Sequence, residues 1–120
     1  MALNILKFRK SNERFKSSRE WLDSKHTFSF AEHRDQFWDN FGKIRVINED
    51  IISPNSGFST HSHSNMEIIT IVLKGEITHR DSLNNLEIIS EGEVQVMSAG
   101  TGISHSEKNE KNIDLSLIHI

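Results

Sequence analysis

Residues 60 to 75 read THSHSNMEIITIVLKG: two histidines one residue apart, a glutamate four positions further on, and a run of strand-forming apolar residues. Side chains of a β-strand alternate faces with a period of two, so an extended segment here puts His61, His63 and Glu67 on one face. Imidazoles and a carboxylate gathered on one face of a strand make a candidate metal site. On either side the chain offers short apolar runs separated by turn residues. IRVINEDII comes before it and closes at Ser53-Pro54-Asn55-Ser56-Gly57; EITHRDSL and LEIIS follow it, with Asn84-Asn85 as their hairpin turn. Next comes EGEVQVMSAGTGISHSE, a strand broken by glycines, and last NIDLSLIHI. Short strands at near-regular spacing, with no amphipathic helix, predict an all-β sandwich or barrel.

At 120 residues the chain fits one domain with a core of its own. A net charge of −3 and an apolar content of 35% point neither to nucleic acid nor to a membrane surface. The basic residues between Lys7 and Arg19 read as a solvated, loosely held arm. With no cysteine, disulfides and thiolate sites are excluded, and any metal must be held by histidine and carboxylate. The N-terminus turns charged at Lys7 and no apolar stretch reaches transmembrane length, so a soluble, cytoplasmic protein is expected. Residues 1–42 carry both tryptophans and most of the phenylalanines among charges, and read as short strands and turns wrapped around the strands of 43–120.

A second pair completes the candidate site. His105 and Glu107 also share a face when extended, and they follow SAGTG, whose glycines permit a sharp bend. If the two segments meet inside a barrel, three imidazoles and a carboxylate converge on one ion. Such ligands suit Fe(II), Mn(II), Ni(II), Cu(II) or Zn(II), and an ion that prefers six ligands keeps two positions open for chemistry. Tetrahedral zinc would be closed by the same four groups, which is the competing structural reading. Because histidine must be neutral to bind, affinity should fall as the pH drops toward about 6.5. Glu67 is open to three roles: ligand, partner of a ligand, or satisfied buried carboxylate. His26, His33, His79 and His119 lack a partner at ligand spacing and read as ordinary histidines, while Trp21, Trp38, Met97 and the phenylalanines read as core.

The chain resembles the pirin family of the cupin superfamily through WLDSKHTFSF (21–30), IRVINEDII (44–52), GFSTHSHSNMEIITIVLKGEITHRDS (57–82) and GEVQVMSAGTGISHSE (92–107). It departs from the general cupin motif in spacing, with Gly57 four residues before His61 and Gly75 eight after Glu67. The usual proline of the second motif gives way to SAGTG, which is itself typical of pirins. The resemblance implies an RmlC-like jelly-roll sandwich with a single metal in its mouth, commonly iron, held by His61, His63, His105 and Glu107. It also implies that Glu67 is not a ligand but stands behind the ligands. Two functions follow from the resemblance. One is quercetin 2,3-dioxygenase activity, opening a flavonol ring with O2 and releasing carbon monoxide, with Glu107 taking the substrate proton. The other is a non-enzymatic, iron-containing module that partners transcription factors without touching nucleic acid itself. Pirins continue past this point with a second cupin domain, so residues 1–120 are expected to be the N-terminal cupin domain alone, without the second. The expectation is therefore a barrel incomplete at its C-terminus, with an open edge that favours self-association and an inactive fragment as the third outcome.

Overall fold

The computed structural model describes residues 6–120. Its strands are β1 (Phe15–Ser18), β2 (Leu22–His26), β3 (Asn48–Ile52), β4 (Ser56–His63), β5 (Glu67–Lys74), β6 (Glu76–Asp81), β7 (Leu86–Ser90), β8 (Val94–Ser98), β9 (Ile103–Asn109) and β10 (Leu115–His119). They form a six-stranded sheet in the order β1-β2-β3-β10-β5-β8 and a four-stranded sheet in the order β4-β9-β6-β7, with antiparallel pairing throughout. The all-β sandwich expected from the strand spacing is the observed architecture. Among the described residues, no helix is long and apolar enough to cross a membrane.

The stretch from His61 to Gly75 is not the single strand it resembles. Strand β4 ends at His63, the chain turns through Asn65 at a positive φ of 55°, and β5 starts at Glu67 in the other sheet. Asn is one of the few residues that takes this left-handed conformation at low cost. A matching turn at Ala99–Gly102 closes against it, Asn65 N–H donating to the Gly100 carbonyl at 2.7 Å and Ala99 N–H to that of Met66 at 2.9 Å. The Asn84 turn does join β6 to β7, with Asn84 at φ 64° and the Asp81 carboxylate accepting from the Leu83 and Asn85 amides.

Strand β10 lies between β3 and β5, and the backbone of Ile120 exchanges two 2.9 Å hydrogen bonds with Ile69. The last segment is thus paired on both sides, and the sheet edges are β1 and β8 in one sheet, β4 and β7 in the other. Leu22, Ile52, Val72, Leu115 and Leu117 from the large sheet meet Ile77 and Ile89 from the small one to form the core, with Trp21 and Phe58 packed against it. Most phenylalanines of the N-terminal region are not core: Phe28 is buried, but Phe8, Phe30, Phe37 and Phe41 are exposed. Phe30, Phe37 and Phe41 belong to the segment between β2 and β3, where the rings of Phe37 and Trp38 hold the basic arm down. Lys7 lies over the rings of Phe37 and Trp38, Arg9 over Phe15 and Trp38, and Arg14 pairs with Glu49 at 2.8 Å. The arm expected to be loose is tethered by its own charges.

Candidate metal centre

Two neighbouring strands build the site. Strand β9 alternates strictly, with Ile103, His105, Glu107 and Asn109 buried and the residues between them turned outward. Beside it, β4 pairs Phe58 with Glu107 but His61 with His105, so β4 carries one residue more than β9 over this interval. That bulge decides the site. Without it Thr60 would stand opposite His105; with it His61 does, and Phe58 and His61 both face inward. Gly57 permits the close approach of the two strands, since a Cβ there would sit 2.4 Å from the Glu107 carbonyl oxygen and 2.6 Å from Lys108 Cα.

The result is a tight imidazole cluster. Ring centroids are 4.5 Å apart for His61 and His105, 4.9 Å for His61 and His63, and 5.0 Å for His63 and His105. One nitrogen from each ring lies within 4.8 Å of the other two. The Nδ1 of His61 is 2.7 Å from the Ser59 carbonyl, which can only accept, so Nδ1 carries a proton and Nε2 is the nitrogen left to bind an ion when the ring is neutral. His105 is 2% exposed, and neither of its ring nitrogens has a hydrogen-bond partner. Burial pushes His105 down to about 4, and burial aided by the charge of His61 lowers His63. Both rings are therefore neutral near pH 7, the form that ligates. A buried imidazole with two unsatisfied nitrogens is costly unless something binds it, so these residues fit a metal ion.

Glu107 stands beside the cluster, 3% exposed, with Oε1 3.7 Å from His105 Nε2. Its other oxygen, Oε2, accepts a 3.0 Å hydrogen bond from His119 Nε2. Burial alone would raise this carboxyl, but the hydrogen bond and charge of His119 outweigh it and hold Glu107 below its ordinary value, ionised. His119 is likewise lowered by burial yet raised more by Asp50 and Glu107, to about 9. On β6, His79 and Asp81 lie opposite Glu107 and His105 and pair with each other at 2.7 Å. The His79 ring is 5.4 Å from that of His105.

The structure thus gathers His61, His63 and His105, with Glu107 alongside. It removes Glu67, which is exposed at the start of β5 and accepts a 2.6 Å hydrogen bond from the Ser98 hydroxyl. The turn at Asn65 moves Glu67 to the other sheet, so the face it would share on an unbroken strand does not exist. His79 and His119, read from sequence as ordinary, pack against the candidate ligands. His79 was legible in principle, because His79 and Asp81 repeat the one-residue spacing of the ligand pairs.

Residues 7–120 match the family model described as Pirin. The chain belongs to the pirin family. This pirin is 49% identical over 110 residues to quercetin 2,3-dioxygenase of Escherichia coli strain K12, an alignment covering 92% of the chain and 48% of that relative. Among solved structures, it is similar to YhhW from Escherichia coli at a TM-score of 0.91 and 50% identity, covering 93% of this chain and 48% of that one. It is similar also to the bacterial pirin YhhW in complex with nickel(II), at a TM-score of 0.87 and 50% identity, covering 93% and 50%. The pirin fold seen here is the cupin sandwich implied by the resemblance. The chain spans about half the length of the curated relatives it matches.

Proposed function

We propose that this pirin binds one divalent metal through His61, His63, His105 and Glu107 and uses it to open the heterocyclic ring of a flavonol with O2, as a quercetin 2,3-dioxygenase. The observation that carries the reading is the buried, neutral and unpartnered His105 at the centre of a three-imidazole cluster, with an ionised carboxylate 3.7 Å away. Fe(II) is the ion we assign; Ni(II), Mn(II), Cu(II) and Zn(II) accept the same donor set. When bound, the metal supplies Lewis acidity and open coordination positions for oxygen donors.

The rest of the chemistry belongs to the side chains. Glu107, ionised and inside the site, is the base for the flavonol 3-hydroxyl proton through Oε1 when that oxygen is not engaged by the metal, since Oε2 is held by His119. Phe58 packs against both His61 and His119 and keeps the inner side of the cluster dry.

The test is quercetin-dependent O2 uptake with carbon monoxide release by Fe(II)-loaded protein, beside a His61→Ala/His105→Ala control. Turnover lost in the control is expected. One metal per chain with no turnover would transfer the assignment to a metal-containing binding module, and no metal above the control would reject the site.

A further inference from the structure

A line of buried polar groups crosses the sandwich behind Glu107. Glu107 belongs to the small sheet, and its hydrogen-bond partner His119 belongs to β10 of the large one. The other ring nitrogen of His119, Nδ1, faces Asp50 Oδ2 at 3.7 Å, and Asp50 accepts in turn from the hydroxyl of Ser24. Asp50 and Glu107 are each 3% exposed, so neither carboxylate can turn to water for its hydrogen bonds. The imidazole is held in place on its own side too, with the Phe58 ring 6.0 Å from it and 6.3 Å from that of His61.

We propose that His119, held by Asp50, is a positioning residue for Glu107: it occupies Oε2 and leaves Oε1 as the single carboxylate oxygen turned toward the histidine cluster. The inference rests on the metal-centre reading above and deepens it. A carboxylate with one oxygen tied to an imidazole binds through the other alone. Three imidazoles and one oxygen leave two positions free on an ion that prefers six, whereas a carboxylate bound through both oxygens leaves one. Two free positions are what a substrate oxygen and O2 together require. His119 therefore sets how many reactants the centre can hold, without touching any of them. Partners of this kind orient ligands, and their loss costs about 10–100-fold in metal affinity.

The experiment uses Co(II) as a probe on the full chain, with affinity measured by competition against a chelator and coordination read from the visible d–d bands and X-ray absorption. His119→Leu is expected to stay folded by circular dichroism, bind Co(II) about 10–100-fold more weakly and show altered d–d bands. His119→Gln, which retains an N–H donor, should recover most of both. Asp50→Asn, which leaves Glu107 and every histidine in place, should shift affinity and spectrum in the same direction as His119→Leu, and it carries the test if the leucine variant does not fold. Wild-type affinity and spectrum in folded His119→Leu, or in Asp50→Asn where the leucine variant is unfolded, would overturn the positioning role while leaving the metal centre standing. Failure of the unmodified chain to bind Co(II) above a His61→Ala/His105→Ala control would instead overturn the metal centre, and this proposal with it.

Discussion

At the residue scale, the same burial that prepares the imidazoles for a metal makes the metal-free chain sensitive to pH in two directions. His105 stays neutral in the fold down to about 4, whereas in the unfolded chain it takes a proton near 6.5. Between those values the unfolded state binds more protons, so stability falls as the pH drops from about 6.5 to about 4. His119 has the opposite sign. Raised to about 9, it contributes fully below 6.5 and loses that contribution as the pH rises through about 9. Thermal denaturation with chelator present should therefore give a melting temperature that peaks near neutrality and falls on both sides. His119→Gln should flatten the alkaline limb and leave the acid limb in place; an unmodified chain whose melting temperature is level from pH 7 to 9 would contradict this. Alternation on a strand is a local property, so sequence could pair His61 with His63 and His105 with Glu107 as candidates, while it put Glu67 on the same face and needed the family resemblance to set it aside. It left His119 unread because its partners, Asp50 and Glu107, are brought to it by sheet pairing alone.

At the scale of elements, the site depends on how closely β4 approaches β9. Gly57 sits where a side chain would enter the backbone of Glu107 and Lys108, and no flexible side chain is there to give way. Gly57→Ala should push β4 off β9 at the residue that carries the carboxylate, costing about 1–3 kcal/mol by analogy with overpacked cores. The damage should also be local: Glu107 moves more than the histidines, which lie beyond the bulge. Urea denaturation would give the loss of stability, and metal analysis the loss of occupancy. A variant with unchanged midpoint and full occupancy would show that the strands can separate freely. The apolar run after His63 hid the break at Asn65, since a turn of three residues between two strands leaves the period-two pattern almost intact. The bulge in β4 is invisible for the same reason, because it shows only against the register of a partner strand.

At the scale of the whole molecule, the β10 and β5 strands of the large sheet carry apolar residues on both faces. Inward they present Val72 from β5 and Leu115 and Leu117 from β10. Outward, Val94 and Val96 of β8 pair with Ile71 and Ile69 of β5, Ile118 of β10 lies opposite Ile71, and Ile51 of β3 opposite Ser116. Val94 is 56% exposed, Val96 66% and Ile51 45%. A strand with apolar residues on both sides belongs to a sheet covered on both sides, and a contiguous apolar face left to water drives association. The edge of this face is β8, whose outer side is free to pair with another strand. The chain is accordingly expected to self-associate in a concentration-dependent way, seen as a rising mass in light scattering coupled to size-exclusion chromatography. Val94→Lys/Val96→Lys should shift it toward the monomer, since these two side chains lie on the edge strand, point outward and take no part in the core. The metal cluster lies on β4 and β9 of the other sheet, so metal content should survive the substitution. Loss of metal together with loss of association would tie the centre to the assembly. A strictly monomeric unmodified chain at high concentration would mean that this face is satisfied by water alone.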